Sequence, residues 1–231
     1  RLPKKVLLNC LDSDYLPHVE TYGTPQLPVY FIVLRFMEPV VPMKADSVQE
    51  LTTKIAFFVT AQRVVSIHRQ VLREVAEVDR KLKTSVPTQG LQEEITRFHV
   101  LSRFFEQASL GFDPHLTELE KKMEEFEDRL FQNRKSKSTM LEGYYIKRKA
   151  SAFKKVTKLT VDALNKVTAT ADCTIGLMQQ TKDRLERNLF YSEDVYDNMQ
   201  SLLNLHMSVE AQRTNEASYR TNEIMRVLTV L

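Results

Sequence analysis

The chain has 231 residues, 42% of them hydrophobic, which is enough for one or two ordinary domains with a real core. Its 33 Lys and Arg stand against 30 Asp and Glu, and the net charge of +3 leaves no electrostatic footprint for nucleic acid or an acidic partner. Cys10 and Cys173 lie far apart and make no Cys-x-x-Cys pair, which argues against a disulfide framework or a zinc knuckle and for a reducing, cytoplasmic setting.

The first ninety residues read as β with some helix. Residues 18–22, ahead of Gly23, have the pattern of a short strand, and residues 29–34 form a continuous apolar, β-branched run suited to a strand buried on both faces. Ile55, Phe57 and Val59 alternate with Lys54 and Thr60, and residues 64–67 follow after a short polar break, so the two segments make a hairpin. Pro39, Pro42 and Asp46 interrupt the pattern between strands. A small mixed sheet of about four strands is expected.

From Val71 the period becomes helical. Val71, Val75, Val78 and Leu82 share a face, and residues 87–90 end that helix. Further helices are expected over residues 91–133, with a kink at Pro114, over 138–167, and from 174 to the end of the chain. The class is therefore α+β, divided into a β-sheet part (1–90), long antiparallel helices (91–170) and a very long C-terminal stalk helix (171–231). No window reaches the ~20 apolar residues that cross a bilayer.

Alternating steps of three and four along the last helix run from Asp194 through Asp197, Ser201, Asn204, Ser208, Ala211, Asn215, Ser218, Asn222, Met225 and Thr229. This stripe is small or polar where an ordinary coiled coil needs Leu and Ile; Leu202, Leu205 and Val209 sit to one side. One reading is a solvent-exposed linker helix held by pairs such as Glu216 and Arg220, worth ~0.3 kcal/mol each. The other is a symmetric assembly around water, with Asn215 and Asn222 forming polar rings about 10 Å apart and Met225 and Leu228 an apolar constriction that gates by dewetting. The tetrad 213–216 recurs as 220–223, and an apolar run then reaches Leu231 without a Gly or Asn cap. The helix is expected to continue into a membrane, and Arg1, which is not an initiator, suggests a trimmed amino end.

Residues 219–229, Tyr-Arg-Thr-Asn-Glu-Ile-Met-Arg-Val-Leu-Thr, closely resemble the start of the pore helix in the CorA family of magnesium and cobalt channels. Residues 192–197, the strand 30–34 and the acidic helix 119–125 extend the resemblance over nearly the whole chain. It implies an α/β/α cytoplasmic domain, a stalk leading to a first membrane span, a homopentameric funnel at the cytoplasmic face of the cell membrane, and a Gly-Met-Asn signature with two spans after Leu231. It also implies sensing of Mg2+ at carboxylates between subunits: Asp194 matches the sensing aspartate, Asn222 the polar ring, and Met225 and Leu228 the constriction. The partner aspartate falls at Asn9, whose amide is a weaker ligand for a hard cation, with Asp12 and Asp14 close enough in sequence to compensate. Asp194 and Asn222 stand one heptad closer than in a familiar bacterial member, a change that keeps the seam on the same face.

Other features carry less. The acidic residues between Glu118 and Asp128 are interleaved with Lys121, Lys122 and Arg129, as on a solvated face. Asp113 matches a secondary metal ligand of the family, although helix capping beside Pro114 explains it equally well. The five histidines have no ligand spacing, and no nucleophile–base pair, Gly-rich phosphate loop or catalytic carboxylate pair can be argued, so the chain is not read as an enzyme. The basic run Lys147, Arg148, Lys149, Lys154, Lys155 and Lys158 reads first as a solvated face and only weakly as a contact for anionic lipid or another subunit. The expectation is the ion-sensing and gating part of a divalent cation channel, regulated by and transporting Mg2+, with Co2+ as a further ion. A zinc-transporting relative and a helical scaffold without a transport role are the alternatives.

Overall fold

In the computed structural model, the structure describes residues 4–24, 26–42, 44–69, 73–84, 97–131, 137–169 and 175–230. The element order is α1 (Lys4–Leu11), β1 (His18–Thr24), β2 (Leu27–Met37), α2 (Val48–Leu51), β3 (Thr52–Val59), β4 (Val64–Ile67), α3 (Arg73–Thr84), α4 (Arg97–Phe131), α5 (Lys137–Thr168) and α6 (Ile175–Val230). The expected ends at residues 87–90, 91–96 and 132–133, and Cys173, lie outside the described residues.

The four strands pair in sequence order, β1-β2-β3-β4. Every pairing is antiparallel, a meander where a mixed sheet was expected: β1–β2 and β3–β4 return through tight turns, and β2–β3 through residues 38–51, which include α2. At the β1–β2 turn Gly23 takes φ 91°, and a Cβ there would run into the carbonyl of Leu27. The β3–β4 turn closes through Thr60 N–H donating to the Arg63 carbonyl at 2.8 Å.

The register separates the sheet into two faces. Ile32 and Leu34 of β2 lie beside Phe57 and Ile55 of β3, and this face packs on the long helices, with Phe104 of α4 centred 4.6 Å from Phe57. Phe31 and Val33 lie beside Phe58 and Ala56 on the opposite face, under Val6 and Cys10 of α1. Residues 55–59 are therefore all buried, Ala56 and Phe58 as well as Ile55, Phe57 and Val59. The reason is α1, which covers the second face and which the sequence pattern does not single out.

Helices α4, α5 and α6 pack together, and α4 runs unbroken past Pro114. Asn188 Nδ2 of α6 donates to the Ser109 carbonyl of α4 at 3.1 Å in the buried seam. Gly143 of α5 lets the three helices close: a Cβ there would lie 2.5 Å from Phe126 Cζ of α4 and 3.1 Å from Leu203 Cδ2 of α6. None of the helices among the described residues is long and apolar enough to cross a membrane.

Candidate functional site

Helix α6 buries one stripe against its neighbours: Met178, Thr181, Leu185, Asn188, Ser192, Val195, Met199 and Leu203 follow alternating steps of three and four, with a final step of four. The polar seam that starts at Asp194 points the other way. At 100° per residue its first part, Asp194 to Asn204, lies about 170° from the mean direction of the buried stripe, and the whole seam to Thr229 about 135°. Asp194, Asp197, Ser201, Asn204, Ser208, Ala211, Asn215, Ser218, Asn222, Met225 and Thr229 are all exposed in the single chain.

The buried stripe of α6 ends at Leu203. From Asn204 to Thr229, about 39 Å of helix at 1.5 Å per residue, no residue is buried. Ser208, Thr214, Thr221 and Thr229 turn their hydroxyls back to carbonyls one turn earlier. Asn215 and Asn222 make no side-chain hydrogen bond among the described residues, and Met225 and Leu228 are 62% and 66% exposed.

Asp194 sits where α6 is firmly held. Glu193 pairs with Lys154 of α5 at 3.3 Å, and the ammoniums of Lys147 and Lys154 each lie 5.5 Å from the Tyr196 ring centroid. The Asp194 carboxylate accepts from Asn198 Nδ2 at 3.1 Å. Across the helix boundary, Glu120 of α4 has its carboxyl pKa raised, first by burial and then by the charges of Asp194 and Glu124. The polar groups here are oxygens, the type a hard cation takes, but one exposed carboxylate and its neighbours fall short of a six-oxygen shell, so a cation there would need water or another chain to complete it.

The other residues with an expected ligand role lie elsewhere. Asn9 and Asp12 belong to the far side of the sheet, where Lys54 Nζ donates to the carbonyls of Asn9 and Cys10 at 2.9 Å each and to that of Asp12. The Asp12 carboxylate accepts from Asp14 N–H at 2.9 Å. Arg35, 1% exposed, donates to the carbonyls of Ser13, Tyr15 and Thr52, and Arg69 to that of Leu11. Three cations thus close the C-terminal end of α1 and the following turn, and burial pulls the pKa values of Arg35 and Lys54 below their ordinary values. Asp113 faces Arg184 of α6, with Nε 3.8 Å from its carboxylate. One chain does not bring Asp194, Asn9, Asp12 and Asp113 together, and among the described residues no group of three or more His, Cys, Asp and Glu side chains is placed to hold a metal ion.

Sequence reasoning missed two parts of this arrangement. Glu120 was visible only as one member of an acidic stretch, since its approach to Asp194 depends on how α4 crosses α6. Arg35 and Lys54 had a signal: Arg35 interrupts an apolar run, and the register sets it beside Lys54.

A family model described as CorA-like Mg2+ transporter protein matches residues 1–231. Among solved structures, the CorA magnesium transporter from Methanocaldococcus jannaschii is similar at a TM-score of 0.61 and 16% identity, covering 99% of this chain and 67% of that one. The full-length CmaX protein is similar at a TM-score of 0.72 and 14% identity, covering 96% of this chain and 65% of that one. The ZntB cytoplasmic domain from Vibrio parahaemolyticus is similar at a TM-score of 0.58 and 11% identity, covering 92% of this chain and 80% of that one. The chain thus spans about two thirds of the length of the first two. No curated protein matches it by sequence.

Proposed function

The chain belongs to the CorA-like Mg2+ transporter family, and from that premise we propose that it is the ion-sensing and gating part of a divalent cation channel, with Mg2+ as both regulator and cargo. The observation that carries the reading is the complete exposure of the seam from Asp194 to Thr229, opposite the stripe that α6 buries. A helix that is packed on one side and presents small and polar groups on the other has a face suited to symmetry-related copies around water.

In this proposal the assembly is a homopentamer at the cytoplasmic face of a membrane. Mg2+ binds at Asp194, with Glu120 adding negative potential and Asn9 or Asp12 of a neighbouring copy contributing oxygen groups. Bound ion offsets carboxylate repulsion and holds the stalks together, and its loss lets them splay. The difference in affinity between the two states sets how far the gate shifts. Asn215 and Asn222 form hydrated polar rings, while Met225 and Leu228 narrow the path. The chemistry is transport, with no catalytic residue.

A zinc-transporting role is the second reading, favoured by the similarity to the ZntB domain. The oxygen donors around Asp194 favour Mg2+, because zinc selects imidazole and thiolate. Thermal unfolding of the chain in EDTA, MgCl2 and ZnCl2 tests the proposal. Mg2+ at a hundred times its Kd adds about 2.7 kcal/mol, a rise of roughly 5–10 °C for a chain of this size, and Asp194→Ala abolishes it. A Mg2+ response that is absent, or unchanged in Asp194→Ala, removes the sensing role; a response to Zn2+ alone selects the second reading.

A further inference from the structure

We infer that Tyr15, held by Glu20, is a positioning residue for Asn9: it fixes which end of the Asn9 amide is left for a divalent cation, so that an oxygen is offered and not an NH2 group. The inference rests on the role proposed above for Asn9 in binding the ion beside a neighbouring copy.

A carboxylate presents oxygen at either end, but an amide has one oxygen and, on the other end, two N–H donors. The two ends are nearly the same shape, so only the surrounding hydrogen bonds decide which way the group points. An asparagine can therefore serve as a cation ligand only where a neighbour sets its orientation.

That neighbour sits on the α1 side of the sheet. Glu20 of β1 lies beside Phe31 of β2, on the face that α1 covers. Its carboxylate, which can only accept when ionised, gathers three donors. His18 Nε2 lies 3.0 Å from Oε1, which puts the ring proton on that nitrogen; Tyr22 donates its hydroxyl to Oε2; and the Tyr15 hydroxyl bonds to Glu20 as well. Tyr15 is fixed from several sides. Its ring meets His18 edge-on at 6.0 Å and packs 6.2 Å from Phe31, and its carbonyl accepts from Arg35 Nε at 3.3 Å.

The direction of each bond follows from what each group can do. Tyr15 has one O–H, and Glu20 can only accept it, so the Tyr15 oxygen must take its bond to the Asn9 side chain from a donor. On Asn9 only Nδ2 can supply one. Burial, first, and then the charge of Glu20 push the Tyr15 pKa up, which keeps the hydroxyl protonated; the bond to Asn9 pulls it down, the sign of a donor facing the phenol oxygen. Lys54 holds the backbone beneath, through the carbonyls of Asn9 and Cys10 at 2.9 Å each. With Nδ2 committed to Tyr15, Oδ1 is the end that remains for a cation.

Two measurements test the inference. In EDTA, the hydrogen-bonded proton of the Asn9 side-chain amide, followed by 15N–1H NMR, should move upfield in Tyr15→Phe, and an unchanged amide overturns the positioning whatever the ion does. Melting against MgCl2 concentration then tests the consequence. Tyr15→Phe should raise the MgCl2 needed for half the stabilisation by about three- to tenfold, the worth of one hydrogen bond. If that variant fails to fold, Glu20→Gln, whose amide can donate to Tyr15, takes its place with the same expectation. In an Asn9→Asp background Tyr15→Phe should leave the Mg2+ response unchanged, because a carboxylate has no wrong end. A loss of equal size in both backgrounds means that Tyr15 acts through packing alone and overturns the inference. A wild-type response that disappears in Asp194→Ala but persists unaltered in Tyr15→Phe overturns the positioning and leaves the sensing role standing, whereas a wild type with no Mg2+ response overturns both.

Discussion

Residues 178–203 and 204–229 belong to one unbroken helix, yet they obey different physics. The first segment buries an apolar stripe against α4 and α5; the second buries nothing in the single chain. Burial holds the first part in place, whereas the second relies on its own backbone ladder and on side-chain pairs such as Gln212 donating to Glu216 at 3.1 Å and Arg213 with Glu210 at 2.8 Å. In the proposed assembly, other copies complete this segment.

Truncations separate the two segments most sharply. Leu185→Ala, in the buried stripe, should cost about 2–5 kcal/mol, whereas Leu228→Ala in the isolated chain should fall within about 0.5 kcal/mol of wild type. Urea unfolding of both variants checks the contrast, and a comparable loss from Leu228→Ala would mean that the outer segment packs on something. At the point where the segments meet, Gly143→Ala forces a methyl into Phe126 and toward Leu203. It should cost about 1–3 kcal/mol and raise the proteolytic sensitivity of residues near Leu203; an unchanged melting curve would show that the helices have room to shift.

The smallest effect concerns acidity beside Asp194. Glu120 holds its proton more tightly when folded, through burial and the charges of Asp194 and Glu124. Its stabilising contribution is present below the ordinary glutamate pKa and is lost as pH rises through the raised folded value. Acidification toward that range should therefore firm up the α4–α6 contact. Glu120→Gln should flatten this part of the pH–stability profile, and an identical slope in the variant would refute the assignment.

Strands β2, β3 and β4 were legible because apolar, β-branched runs between turn residues have few other uses, and α4, α5 and α6 because their period persists for many turns. Helix α1 was not: residues 4–11 carry leucines on the outward side as well as apolar groups inward, so no clean stripe marks the helix. The outward direction of the seam could be read from spacing alone, since Ser192, Val195 and Met199 take the opposite side of the same helix. The surroundings of Asp12 could not. The convergence of Lys54, Arg35 and Arg69 on the end of α1 depends on strand register and on a contact across the sheet. For the same reason Glu120 entered the candidate site only through the helix crossing.

Amide hydrogen exchange along α6, followed in wild type and Asp194→Ala with and without Mg2+, tests the central claim most directly. The account predicts that Mg2+ slows exchange from around Asp194 into residues 204–229 in wild type and leaves the variant unchanged. Exchange in that segment that is indifferent to Mg2+, or slowed equally in Asp194→Ala, would contradict it.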